Sequence, residues 1–274
     1  MAEGAISSAS GPRLAAPAPG VSRARPVGDA LTIAWRNVVN IRRTPQLLIF
    51  STIQPVVFVL LFRYVFGGAI SVPGISYVDY LMPGIFVQTV VFGALTTGIG
   101  LADDLQKGLI DRFRSLPMAR SAVLIGRSLA DLARNVFVVL LMCVVGYLVG
   151  WREHGSTVEV VAAILLIMAF SYSVTWIFAI VGMFAGDAET TQAASFPALA
   201  PLVFASSAFV PVNTMPSWLQ GFANHQPVSV MVNASRGLFL GTSSGSTVIE
   251  AIIWTVGIVA VCAPLAVARY RRVT

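Results

Sequence analysis

Lys107 is the only lysine among the 18 Lys and Arg residues of this 274-residue chain. A phosphate-cradling P-loop needs G-x-x-x-x-G-K-[ST], with its lysine reaching the phosphates. Lys107 follows Gln106 and precedes Gly108, so this chain contains no Walker A sequence. If ATP drives anything here, ATP and Mg must bind another polypeptide. The other reactive side chains are scattered. His154 and His225 lie far apart, with no carboxylates spaced to complete a metal site. Cys143 and Cys262 fall within long apolar runs, where a thiol packs as a small apolar group. Ser173 and Ser195 have no His/Asp context. No catalytic residue and no metal ligand set is expected, and the chain is read as a non-enzyme.

Charge is concentrated instead. The segment Asp103–Arg120 (DDLQKGLIDRFRSLPMAR) is dense in ionisable residues, while the chain as a whole is 11% charged. Leu105, Leu109, Phe113 and Leu116 recur at helical spacing and form one face. Asp103, Asp104, Lys107, Asp111, Arg112 and Arg114 supply the charge around it. Asp103 precedes Lys107 by four residues, the favourable order for a helical ion pair, and Leu116-Pro117 ends the helix. A merely solvated loop would not present four large apolar side chains on one stripe, so the segment is expected to dock on a partner. Further on, Arg127, Asp131 and Arg134 share a helix face and are expected to pair as Arg–Asp–Arg, as a structural link to the amphipathic segment at 28–44 or in a gating role. Arg63 and Glu250 lie near span ends, where their charges reach water.

The elements that carry these groups are membrane helices. Hydrophobic residues make up 56% of the chain and the mean hydropathy is +0.80. A soluble chain carries roughly 25% charged residues, so a water-facing globule is excluded. A spanning helix needs about 20 apolar residues. Windows free of acids and bases place spans at Gln46–Phe62, Leu81–Ala102, Asn135–Trp151 (with a start as early as Ser121), Val160–Gly186 and Ala251–Ala268. The charge-free stretch Thr190–Ser235 is broken by Pro211, Pro216, Gly221, Asn224 and Pro227. Irregular backbone in lipid must be buried in protein or lie at the interface. This stretch therefore reads as one span, Ala193–Val210, followed by half-helices at Ser217–Phe222 and Val228–Phe239 that dip into the outer leaflet. The alternative is a seventh span. Six spans bring the basic N-terminal segment, the segment around Lys107 and the basic C-terminus (Arg269, Arg271, Arg272) to one side, as the enrichment of Lys and Arg in cytoplasmic loops requires.

The fold expected is an all-α integral membrane protein with six transmembrane helices and both termini cytoplasmic. Residues 1–27, rich in Ala, Pro, Ser and Gly, read as a disordered cytoplasmic tail with no signal peptide. In residues 28–44, Asp29, Thr32, Arg36, Asn40 and Arg43 line one face and Leu31, Ala34, Trp35, Val38 and Ile41 the other. That pattern fits a helix lying on the inner membrane surface or a helix packed on a soluble partner. Residues 45–269 form the transmembrane domain, with the docking helix at 103–117, and residues 270–274 the cytoplasmic C-terminus. Uncharged polar groups within the spans, Gln54, Gln88, Thr96 and Ser171 among them, either glue helices together or line a pathway.

The run Gln106–Arg127 (QKGLIDRFRSLPMARSAVLIGR) resembles the signature of ABC-2 type permeases, and is similar above all to the daunorubicin/doxorubicin-resistance type of exporter permease. LMPGIF (Leu81–Phe86), SSAFVPVNTMPSWLQGFA (Ser206–Ala223) and QPVSVMVNASRGLFLG (Gln226–Gly241) agree with it. Many members carry a Glu ahead of the motif glycine, where this chain has Asp103-Asp104-Leu105-Gln106. The resemblance implies a membrane subunit of an ATP-driven exporter of a lipophilic drug, antibiotic or lipid in a bacterial plasma membrane. It implies two cytosolic ATPase subunits that hold ATP and Mg, and a second permease subunit, identical or different. It makes 103–117 the coupling helix, 28–44 the interface helix, and the extracellular re-entrant half-helices, with Pro211, Trp218 and Phe222, the outer gate. Nucleic acid is not an expected partner. The competing readings are a secondary transporter or channel, and a membrane assembly subunit that transports nothing. The first of these is not favoured, since the spans carry no acid at mid-membrane and no convincing inverted repeat.

Overall fold

The computed structural model describes residues 45–70, 72–107 and 120–273. The tail at 1–27, the amphipathic segment at 28–44, and Leu109, Asp111, Arg112, Phe113, Arg114 and Leu116 of the docking segment lie outside the described residues. Every regular element among those described is helical. They are α1 (Pro45–Leu60), running on into a π-helical turn (Leu61–Phe66), α2 (Tyr77–Gln106), α3 (Arg120–Val149), α4 (Thr157–Ala185), α5 (Ala188–Phe204), a 3-10 turn (Val212–Thr214), α6 (Ser217–His225), α7 (Pro227–Leu240) and α8 (Gly245–Val273).

Local chemistry sets these boundaries. The Ser76 hydroxyl accepts from the Val78 N–H at the start of α2. Ser156 and Glu159 form a reciprocal capping box on α4, which satisfies two otherwise orphaned groups. Gly186 ends α4 at φ 79°, in the left-handed region that glycine alone enters freely. The Asp187 carboxylate then accepts from the Thr190 N–H at 2.7 Å and opens α5. That hydrogen bond holds the Asp187 carboxyl below its usual pKa. Pro227 takes the first turn of α7, where its missing N–H costs nothing.

Among the described residues, four helical stretches are long and apolar enough to cross a bilayer: Tyr77–Gln106, Gly126–Val149, Thr157–Ala185 and Gly245–Tyr270. The described apolar stretch of α1, Thr52–Phe66, is shorter, and α5 has 17 residues. α5 differs from its expected span, Ala193–Val210. It starts earlier because Asp187 caps it. It stops at Phe204 because the next residues fold into a buried turn, Ser206–Phe209, whose carbonyls are held by α2. The broken stretch beyond forms two short helices, α6 and α7, at the places where half-helices were expected.

α2 is the axis of the molecule. Of its most apolar stretch, 72% is buried, against 17% for α8. It packs against α3, α4, α5 and α7, most extensively against α4. Two glycines permit that approach: a Cβ on Gly98 would overlap the Phe178 carbonyl, and one on Gly182 would overlap the Gly98 carbonyl. Membrane helices without a hydrophobic drive to associate gain stability from such close backbone contact. At one end Phe86, Trp151 and Phe239 interlock, Trp151 meeting the two phenylalanines edge-on at 5.5 and 5.4 Å. The loop after α3 is tied down there by two contacts. The Arg152 N–H donates to Asp79 Oδ1 at 2.9 Å, and the His154 and Gly155 N–H groups both donate to the Phe239 carbonyl.

Candidate functional site

Three polar constellations stand out, all built on α2. The first joins its C-terminal half to α3. Lys107 Nζ meets Asp103 Oδ2 at 2.6 Å on the exposed surface, which raises the lysine pKa. One residue along, Asp104 forms a half-exposed ion pair with Arg127 of α3. Next, Thr97 Oγ1 donates to Asp131 Oδ2 at 2.6 Å. Asp131 Oδ1 pairs with Arg134 at 3.3 Å, and Arg134 Nη2 donates to the Gly93 carbonyl at 2.8 Å. So the three charges expected to pair among themselves divide: Asp131 holds Arg134, while Arg127 takes its acid from α2. The interface segment to which they were to link lies outside the described residues.

These pairs differ in weight. An exposed ion pair contributes little because water competes for both partners, whereas removing one partner of a buried pair strands the other. Lys107→Ala should therefore leave the melting temperature of the purified protein unchanged, and Asp131→Ala should lower it. A scanning-fluorimetry series on both variants checks this, and equal effects would contradict the assignment.

The second constellation is a cavity of ≈ 70 Å³ between α1, α2 and α3, lined by Gln54, Gln88, Thr96, Phe92, Arg134 and others. Three of the four pathway candidates thus meet in one space. The fourth, Ser171, accepts from Asn135 Nδ2 at 2.7 Å and bonds α4 to α3. Gln88 is buried, with 2% of its surface exposed, yet its Oε1 has no hydrogen-bond partner.

The third lies at the other end of α2, and the sequence reading missed it. The Arg236 guanidinium of α7 is buried and lies 3.6 Å from the centroid of the Tyr80 ring. Its Nε donates to the Tyr80 carbonyl at 3.0 Å, Nη1 to Asn233 Oδ1 at 3.1 Å and Nη2 to the Ser207 carbonyl at 2.6 Å. Tyr80 and Tyr77 donate from their hydroxyls to the carbonyls of Ser207 and Phe209. Gln226 Nε2 donates to the Leu202 carbonyl at 2.8 Å. These bonds satisfy the irregular backbone between α5 and α6, as lipid surroundings demand. One signal was available: Arg236 is a lone base closing a long charge-free stretch. The outer-gate candidates stand apart from this hub. Trp218 and Phe222 are exposed on α6, and Pro211 precedes the 3-10 turn.

Comparison with known proteins bears on the whole chain. A family model described as ABC-2 type transporter matches residues 29–240. A daunorubicin resistance ABC transporter permease protein of Streptomyces coeruleorubidus is 38% identical over 250 residues, covering 91% of this chain and 88% of that protein. A probable doxorubicin resistance ABC transporter permease protein of Mycobacterium tuberculosis is 29% identical over 227 residues, 82% of each chain. A putative transport permease of Porphyra purpurea is 25% identical over 215 residues, covering 77% of this chain and 73% of that protein.

Proposed function

Since this chain belongs to the ABC-2 type transporter family and is a multi-pass membrane protein, we propose that it is the permease subunit of an ATP-driven exporter. Its cargo is a lipophilic drug, antibiotic or lipid. Six spans hold both termini in the cytoplasm of a bacterial cell. Two separate ATPase subunits bind ATP and Mg, and a second permease subunit completes the path.

The observation that carries this reading is the segment between α2 and α3. It combines an apolar stripe with dense charge, and it begins and ends on helices clasped together by Asp104 and Arg127. A partner that grips this segment would act on both helices at once. The absence of a P-loop from the sequence supports placing hydrolysis on that partner. The relatives' printed names, daunorubicin and doxorubicin resistance, support a bulky, largely apolar cargo.

The test is reconstitution of the chain with an ABC ATPase subunit from the same cell, in vesicles loaded with a fluorescent lipophilic drug. Leu109→Asp and Phe113→Asp should each reduce ATP-dependent export to background while leaving membrane insertion intact. Normal export and normal ATPase stimulation by Leu109→Asp would remove the docking role. Export that survives ATP depletion but collapses with the proton gradient would replace the reading with a secondary transporter.

A further inference from the structure

Arg236 poses a physical problem. Charged side chains are almost never buried unless paired, and only 8% of the Arg236 surface is exposed. Its partners are all neutral: the Tyr80 and Ser207 carbonyls, Asn233 Oδ1 and the Tyr80 ring. Among the described residues no carboxylate forms an ion pair with it. A guanidinium carries five N–H donors, and these bonds use three. Fastening the turn after α5 explains those three donors. It explains neither the uncompensated charge nor the two donors left over.

The same side chain lines a cavity of ≈ 240 Å³ between α7, the link that follows it and the first turn of α8. Asn233, Thr242, Ser244 and Thr247 share the lining. Thr242 and Ser244 are exposed, and Asn233 and Thr247 are half-buried, so the cavity runs from the surface to the buried guanidinium. The Asn233 amide oxygen is already taken by Arg236 and by the Ser207 hydroxyl, which leaves its amino group to donate. The Ser244 carbonyl accepts from the Thr247 and Val248 N–H groups and so opens α8. The first N–H groups of a helix have no partner within it, and that end of a helix favours an anion.

These groups are donors facing one space, next to a cation without a counter-ion. A carboxylate has two oxygens, too few for so many donors. A phosphate presents more, and guanidinium N–H pairs suit it. The volume is below the roughly 300–1,000 Å³ of a drug site but ample for a hydrated tetrahedral anion. One acid stands near the rim: Glu159 accepts from the Ser156 N–H and hydroxyl at 2.8 Å each and from the Ser243 hydroxyl. It is only half-buried, so water and salt screen its charge. Along α8 from the cavity, Ile249, Ile252 and Ile253 are exposed, an apolar surface on which acyl chains can lie.

We propose that this cavity is a phosphate site, in which Arg236, Asn233, Thr247 and the start of α8 hold a phosphate oxyanion, free or on a phospholipid headgroup. The site stands independently of the permease reading, and binding is measured without an ATPase.

The experiment is calorimetric titration of the purified full-length chain, stripped of lipid in a maltoside detergent. The probes are inorganic phosphate, dihexanoyl phosphatidylglycerol and acetate, at matched ionic strength. Saturable binding of inorganic phosphate, of the phosphatidylglycerol or of both is expected, and which of them binds identifies the source. Acetate should bind at least ten-fold more weakly. Ser244→Asp keeps a residue suited to starting a helix but adds a negative charge at the mouth. It should weaken the phosphate probes roughly ten-fold or more while leaving the melting temperature without probe unchanged or raised. Thr247→Val, which keeps the side-chain shape, should weaken them roughly three- to ten-fold. Three results would overturn the site: no saturable binding of either phosphate probe, acetate binding as tightly as they do, or wild-type binding by both variants.

Discussion

Arg236→Leu is expected to lower sharply the amount of folded protein that can be purified. The substitution removes the donor from the Tyr80 and Ser207 carbonyls and from Asn233 Oδ1 at once. Ser207 keeps the Tyr80 hydroxyl and Asn233 Oδ1 keeps the Ser207 hydroxyl, so the Tyr80 carbonyl alone loses its side-chain donor, at a cost of about 1–3 kcal/mol. The desolvated cation–π contact with Tyr80 adds about 2 kcal/mol. Together these approach the lower end of the stability of an ordinary domain, about 5–15 kcal/mol. Arg236→Lys should rescue little, since an ammonium lacks the planar fork that reaches three acceptors in different directions. The measurement is the monodisperse fraction after detergent extraction, followed by the melting temperature of what remains. A leucine variant with wild-type yield and melting temperature would show that the turn after α5 holds itself.

Gly98→Val is the second large effect. Its Cβ would overlap the Phe178 carbonyl oxygen of α4, which is backbone and cannot swing aside. Overpacking of this kind costs about 1–3 kcal/mol where side chains can yield, and the upper end or beyond is expected where they cannot. Because the α2–α4 contact is the most extensive in the molecule, separating it loosens everything packed on α2. A control lies on α8: Gly257 has nothing within 4 Å of an added Cβ. Gly257→Ala should be neutral or slightly stabilising, since alanine favours helix by about 1 kcal/mol over glycine. Equal melting temperatures for Gly98→Val and Gly257→Ala would contradict the packing described for α2.

Helix positions were largely legible because the signals are local. Apolar runs of spanning length mark α2 and α4, and Pro216 and Pro227 cut the broken stretch where α6 and α7 begin. Boundaries ruled by one side chain were less so, and Asp187 moved the start of α5 by capping it. Pairings between helices were not legible. Periodicity correctly placed Arg127, Asp131 and Arg134 on one face of α3, but it carries no information on which α2 acid lies opposite Arg127. The same limit separates Gln88 from Ser171. Both are polar residues within apolar helices, and only the packing of neighbours decides that one faces a cavity while the other receives a hydrogen bond from Asn135. The Arg236 hub was furthest out of reach, since it joins Tyr80, Ser207 and Arg236 across most of the chain.

The Asp104–Arg127 pair has a mechanical consequence. It closes the chain between α2 and α3 into a clasped handle, so a load on that handle cannot pry the two helices apart without breaking an ion pair. α2 is 30 residues long, a rod of about 45 Å at 1.5 Å per residue. Its far end is bolted by Tyr77 and Tyr80 to the turn after α5. A push or twist on the handle would therefore bear on the opposite end of the molecule, where α6 and α7 hang from that same turn.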